Sequence, residues 1–153
     1  MPSFTISIAA PPDRTFEELS HVERHPSWAN VRSKMTMEQT GGDGPGPAST
    51  YRSSGAFAGK DVSADITVTA FEPSSRFAIR SIQHQQGKKD VWYENDYTLT
   101  ADGTGTTLTK HLTGGLSPII FFLASRAIRK DAMTSLRNLK ELLEVPAASG
   151  PSQ

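Results

Sequence analysis

Four polar side chains of this sequence have the functional groups that reactions inside an apolar cavity use: Tyr51, Asn95, Tyr97 and Lys110. Each lies in an alternating segment at the parity of large apolar neighbours, which predicts that these side chains point to one face of a sheet. A lysine in such a place needs an acidic partner or has a lowered pKa, and beside tyrosines it would polarise a ligand carbonyl or stabilise an enolate. The more common arrangement is a lysine near a strand end that reaches water, so both remain open for Lys110.

Two histidines, His21 and His25, stand four residues apart, a spacing that a helix would bring onto one face within reach of a metal ion. A zinc-protease helix needs a glutamate directly after the first histidine, and here valine stands there. Pro26 also ends the turn, so we expect a short solvent-facing helix and no metal site. His84 and His111 are isolated in the sequence and are expected at the surface.

No cofactor motif is recognisable. The glycine-rich tract at 41–46 fits neither the dinucleotide-binding nor the phosphate-binding loop, and no serine stands in a nucleophile elbow. We therefore expect no cofactor, and the sequence assigns no catalytic residue, which leaves open whether the protein is an enzyme.

Charge and composition exclude several classes of protein. The 153 residues carry 16 basic and 16 acidic side chains and no cysteine, so thiolate chemistry and disulfides are excluded and nucleic acid is not an expected partner. The first ten residues alternate and lack the basic start of a signal peptide, and the longest apolar run, 119–124, is too short to span a bilayer. We expect a cytoplasmic protein without stable membrane insertion, with one domain over 1–146 and a disordered tail over 147–153.

The elements that would position these side chains are mostly strands. A first strand at Phe4–Ile8 is followed by a helix at Pro12–Ser20 and a short turn at His21–His25. Six further strands, joined mostly by hairpin-length turns, are predicted at Val31–Gln39, Thr50–Ala58, Val62–Phe71, Arg76–Gln83, Val91–Thr100 and Thr106–Thr113. Seven strands in this order indicate an antiparallel meander.

A single long helix is predicted from Ser117 to Glu144. Ser117 followed by Pro118 is a good helix start, and apolar residues then recur at helical spacing from Ile128 to Leu143. The segment 119–123 is apolar all round. We expect it to be buried against the sheet edge; the alternatives are a gate, a partner surface or a patch that touches a membrane.

This order of elements resembles the START-like, or helix-grip, superfamily, which includes polyketide cyclases and dehydratases, lipid-transfer domains and pollen-allergen-like proteins. Three phrases carry the resemblance across nearly the whole chain: the opening strand 6–12, the segment His25-Pro26-Ser27-Trp28, and Tyr97-Thr98-Leu99 with the hairpin at 105–108. The resemblance implies an α+β helix-grip fold. In it a curved seven-stranded antiparallel sheet holds the long C-terminal helix, two short helices lie between strands 1 and 2, and a hydrophobic cavity separates sheet and helix.

The predicted inward positions support such a cavity, because small and polar residues stand among the aromatic ones. They include Ser53, Gly55, Ala64, Ala70, Ser81 and Asn95. A tightly packed core would have large apolar residues there. The predicted ligand-binding residues are Trp28, Tyr51, Phe57, Tyr93, Asn95, Tyr97, Lys110 and Phe121. Trp28 either lines the cavity or anchors the short helices to the sheet.

Three functions fit these expectations. The preferred one is a carrier or sensor that binds a lipid, a polyketide or an aromatic molecule without chemistry. The second is a cyclase, aromatase or dehydratase that uses the polar cavity residues. The third is a module that docks on a protein or a membrane through the segment 119–123. A monomer or a homodimer is expected.

Overall fold

A curved antiparallel sheet forms most of the computed structural model, which describes residues 2–29, 34–57 and 59–145. β1 (Ser3–Ile8) is followed by α1 (Pro12–Ser20) and a 3-10 helix (Val22–Ser27). The later elements are β2 (Thr36–Gly41), β3 (Thr50–Phe57), β4 (Lys60–Glu72), β5 (Arg76–Gln85), β6 (Val91–Asp102), β7 (Gly105–Gly114), α2 (Pro118–Leu123) and α3 (Ser125–Glu144). Val31 and the predicted tail at 147–153 lie outside the described residues.

Each strand from β2 to β7 pairs with the next along the chain, and β1 pairs with β7, in the order β1-β7-β6-β5-β4-β3-β2. The buried face of α3, which includes Leu136, Leu139 and Leu143, packs against this sheet in one continuous core. The predicted α+β helix-grip architecture is therefore confirmed. Polar bonds fix the helix to β1: Lys140 donates to the Ser7 carbonyl at 2.8 Å, and Glu144 accepts from the Ala9 amide at 2.7 Å.

A bulge in β4 changes which side chains face the core. Val68 pairs with Ile79 but Ala70 pairs with Ala78, so Thr69 is an extra residue. The extra residue reverses the alternation beyond it, and Phe71 reaches the core in place of Ala70. The inward position predicted for Ala70 is therefore wrong. Phe71 closes this end of the core, with its ring centroid 5.1 Å from that of Phe16 in α1.

The C-terminal segment forms two helices, so the prediction of one uninterrupted helix is wrong. Ser117 caps α2 as expected, its hydroxyl accepting from the Ile120 amide at 3.3 Å, and the helical pattern is interrupted at Ala124. Phe121 alone among the α2 residues is buried, beside Gly114 of β7. No helix of the described residues is both long enough and apolar enough to cross a membrane.

The expected burial of the segment 119–123 against the sheet is also wrong. The exposed fractions of its other four side chains are 71% for Ile119, 48% for Ile120, 77% for Phe122 and 76% for Leu123. They form an exposed apolar surface, here called the α2 patch and defined by Ile119, Ile120, Phe122 and Leu123.

Candidate functional site

A cavity of about 550 Å³ lies between the sheet and α3. Strands β3 to β7 contribute to its wall together with the 3-10 helix and the first half of α3. Carbon-rich side chains make up much of the wall, including Ile66, Ile79, Leu112 and Ile128. The volume falls within the range of small-molecule binding sites in proteins.

Small residues keep this space open. Ser53 pairs with Ala64, and Ser81 lies on the next strand opposite Ile66. All three border the cavity, at positions that the sequence predicted to face inward. Larger side chains at these positions would fill the interior, which proteins otherwise pack densely.

A second hollow of about 580 Å³, lined by Gly55, His84 and Asp90, is more open to solvent and lies where β4 meets the β5–β6 turn.

Lys110 faces the cavity. Its position in β7 is opposite Phe4 of β1 and Tyr97 of β6. The residue keeps some accessible area although its ammonium group lies deep in the protein, so the accessible part is the one that borders the cavity. Lys110 therefore lies on the cavity wall in the middle part of β7 and not near the end of a strand.

Burial lowers the pKa of Lys110 to about 8, and the charge of Asp131 on α3 opposes this shift. The ammonium nitrogen lies 5.8 Å from the ring centroid of Tyr97, a weak cation–π contact. The structure shows no hydrogen bond or ion pair from this ammonium to any described residue.

Three other predicted site residues lie on the same wall. Tyr93, Asn95 and Tyr97 are neighbours on β6, and all three border the cavity. Burial raises the pKa of both tyrosines, so at neutral pH their hydroxyls carry protons and can donate hydrogen bonds. The structure thus brings Tyr93, Asn95, Tyr97 and Lys110 together; whether they bind a ligand remains a prediction.

The other predicted site residues lie elsewhere. Trp28 and Tyr51 are buried in the packed core and do not border the cavity. Trp28 anchors the short helices, since its ring lies 4.7 Å from that of His25 and its carbonyl accepts from Asn138 of α3 at 3.2 Å. Phe121 lies beside Gly114 and also does not border the cavity. The Phe57 side chain lies outside what the structure describes.

His25 is a cavity residue that the sequence analysis missed. Its Nε2 donates to the Leu19 carbonyl at 2.7 Å, and burial lowers its pKa to about 4. The expected solvent-facing placement is wrong for this residue, because its ring packs between Trp28 and Phe77 and borders the cavity. The available signal was its position directly before the proline that ends the short helix and three residues before Trp28.

The remaining histidines do not reach the cavity. His21 bonds through Nδ1 to the Glu17 carbonyl at 2.7 Å, and His111 is exposed, as predicted. His84 lies on the outer side of the sheet between Asp65 and Asp90, each 2.9 Å away, and the hydrogen bonds that its ring donates to these carboxylates raise its pKa. Within the described ranges, no three acidic or histidine side chains come together in a metal-binding arrangement.

Comparisons with solved structures show where this architecture recurs. The Ara h 8.0201 structure is 13% identical, with a TM-score of 0.68 over 93% of this chain and 95% of that chain. Protein CV1439 from Chromobacterium violaceum is 17% identical, with a TM-score of 0.68 over 95% of this chain and 98% of that chain. DynU16, from the dynemicin biosynthetic locus, is 21% identical, with a TM-score of 0.61 over 94% of this chain and 46% of that chain.

At these identities the structural likeness establishes the fold alone. No curated protein sequence matches this chain at a significant level. Residues 2–144 match the sequence model of the family described as polyketide cyclase / dehydrase and lipid transport. The match spans all the elements that build the cavity, and the chain therefore belongs to that family.

Proposed function

We propose that this protein binds a hydrophobic small molecule, of the lipid, polyketide or aromatic class, in the cavity between the sheet and α3, as a carrier or sensor. The observation that carries the proposal is the cavity of about 550 Å³ in the middle of an otherwise packed core. Apolar side chains on its wall favour the transfer of an apolar molecule from water. The family description, which includes lipid transport, supports the same class of ligand.

A substitution that fills the cavity tests this proposal. Ala64→Trp should weaken the binding of the uncharged fluorescent probe N-phenyl-1-naphthylamine at least tenfold, because the indole would occupy the probe's space. The matched control is Thr67→Trp, on the same strand but exposed, and it should bind like wild type. Fluorescence titration measures both affinities, and circular dichroism confirms folding. If Ala64→Trp is folded and binds the probe with wild-type affinity, the cavity is not the binding site.

Cyclase or dehydratase chemistry is a second candidate, and one observation favours it. Lys110 offers a cation with a lowered pKa near the ring of Tyr97, and the ammonium and the Tyr97 hydroxyl would together stabilise negative charge developing on a carbonyl oxygen. The family description includes both activities. The two functions differ in what Lys110→Met removes: an enzyme would lose turnover by at least a hundredfold with little change in substrate affinity, whereas a carrier has no turnover to lose.

A further inference from the structure

The Lys110 ammonium forms no ion pair or hydrogen bond with a described residue, although the charge of Asp131 acts on it across the cavity. Two titratable groups on other elements border the same cavity. His25 is neutral at pH 7, and Asp131 raises the pKa of Lys110 through its charge but is exposed and forms no ion pair with it. The positions that the structure does not describe contain no aspartate or glutamate. No undescribed aspartate or glutamate side chain is therefore available to neutralise the lysine.

Two further groups near Lys110 can donate hydrogen bonds. The Tyr97 hydroxyl and the Asn95 amide border the same cavity, and no hydrogen bond joins either side chain to another described residue. An ammonium group offers three donor hydrogens, and a phenol and an amide each add donors to the same region. A ligand oxygen with a negative charge would satisfy these groups, whereas an entirely apolar ligand would leave them all unpaired.

We propose, on the basis of the function proposed above, that the ligand is an amphiphile whose anionic oxygen, a carboxylate or an enolate, is held by Lys110 and Tyr97. Its apolar part occupies the wall formed by residues such as Ile66, Ile79 and Ile128. The anion forms an ion pair with the ammonium inside the cavity, where charge-assisted hydrogen bonds are strong. Lys110 is thus the residue that selects acids over neutral molecules of the same length.

A matched pair of competitors tests this selection. Decanoate and decanol should both displace N-phenyl-1-naphthylamine from the wild-type protein, with decanoate binding at least tenfold more tightly. Lys110→Met should abolish the preference while decanol still binds, since methionine fills similar space without the charge. Lys60→Met, which removes an exposed lysine at the start of β4, should keep the preference. A folded Lys110→Met protein that still prefers decanoate overturns the proposal.

The wild-type protein gives a second readout that needs no variant. Decanoate affinity should be constant from pH 6 to 7.5 and should fall as the pH rises through about 8, where free Lys110 loses its proton, while decanol affinity stays level. Parallel profiles for the two competitors would contradict the role of Lys110 even though the cavity binds both. Failure of the uncharged probe and of both competitors to bind would instead overturn the proposed function itself.

A different observation, the α2 patch, supports a second proposal. The sequence contains no acidic residue from Gly103 to Lys130, and three exposed basic residues, Arg126, Arg129 and Lys130, follow the patch on α3. Exposed apolar side chains beside cationic ones match an anionic lipid surface, with the apolar groups in the acyl boundary and the basic groups at the headgroups. We infer that the α2 patch docks on an anionic bilayer.

The patch also adjoins the cavity. A Cβ atom added to Gly114 would lie 2.9 Å from Tyr93, which borders the cavity, and 3.2 Å from Phe121 of α2. Ile128, one turn after the patch, is itself part of the cavity wall. Docking at α2 would therefore place the end of the cavity near the lipid from which an amphiphile is taken or to which it is delivered.

Vesicle co-sedimentation tests the docking surface. The protein should bind vesicles of equal parts phosphatidylglycerol and phosphatidylcholine, and the pair Phe122→Ser with Leu123→Ser should reduce binding at least tenfold. Leu142→Ser, which changes an exposed leucine at the far end of α3, is the matched control and should have no effect. Unchanged binding by the double variant overturns the proposal. So does a wild-type dimer in sedimentation equilibrium that Phe122→Ser dissociates, since the patch would then bind a second copy.

Discussion

Leu136→Asp should lower the free energy of unfolding by several kcal/mol, a loss large enough to unfold a marginally stable domain. Leu136 has 0% of its surface exposed, on the face of α3 that packs in the apolar core against the sheet. An unpaired buried carboxylate, together with the lost leucine packing, costs several kcal/mol, out of a total stability of about 5–15 kcal/mol for an ordinary domain. Urea unfolding followed by circular dichroism measures the loss.

Thr134→Asp is the control for this substitution. It introduces the same charge two residues away on the exposed side of the same helix, so its free energy of unfolding should stay within about 0.5 kcal/mol of wild type. Leu136→Ala should fall between the two, at about 2–5 kcal/mol, because it leaves a cavity without a charge. Equal stabilities for Leu136→Asp and Thr134→Asp would mean that this face of α3 is not the core face.

Most of the fold follows from local patterns in the sequence. The helix Pro12–Ser20 has the bounds predicted from its opening prolines and its inward Phe16 and Leu19, and the meander follows from short turns between alternating segments. Lys110 was placed on the inward face by its parity with Leu108 and Leu112, and the structure puts it there. The alternation of apolar and polar residues over a few neighbouring positions determines these features, so they can be predicted from the sequence.

Other features depend on contacts between distant parts of the chain. Tyr51 and Tyr97 both point to the inner face of the sheet, but of the two only Tyr97 borders the cavity. The place of each residue along its strand relative to α3 determines whether its side chain packs in the core or borders the cavity. His25 is buried because the 3-10 helix docks on Phe77, and neither residue signals this alone. The one-residue bulge at Thr69 and the interruption between α2 and α3 at Ala124 likewise depend on tertiary packing. The periodicity of apolar residues in the sequence does not indicate either of them.

Exposure of the α2 patch is the clearest such case. An apolar segment is normally buried, and Phe121 is buried as expected because Gly114 leaves room for its ring. The helix has six residues, and the sheet edge contacts only one side of it, so the other apolar side chains have no protein surface to cover them within the described residues. The same sequence pattern therefore encodes one buried side chain and an exposed apolar surface.

Acid should destabilise the protein through His25 well before its carboxylates titrate. The ordinary histidine pKa of about 6.5 applies to the unfolded chain, while burial holds the folded value at about 4, so between these values the unfolded state binds a proton that the folded state does not. Stability from this residue is present above pH 6.5 and is lost as the pH falls toward 4. The full loss is about 3 kcal/mol, at 1.36 kcal/mol per pKa unit.

The window from pH 7 to pH 4.5 isolates this effect. Lys110 is already protonated in both states below pH 7, and the lowered pKa values of Asp65 and Glu144 matter below pH 4.5. His84 acts in the opposite direction, because its raised pKa adds stability as the pH falls. That group is partly exposed, so solvent screening keeps its contribution small.

His25→Gln should remove most of the acid sensitivity. Glutamine offers a donor for the Leu19 carbonyl and does not titrate, so the variant is less stable than wild type at pH 7 but loses about 2 kcal/mol less between pH 7 and pH 4.5. His21→Gln, on the neighbouring turn and outside the core, should behave like wild type in this comparison. Urea unfolding at the two pH values measures the differences. Parallel losses in wild type and His25→Gln would show that the buried imidazole is not the group that acid must charge.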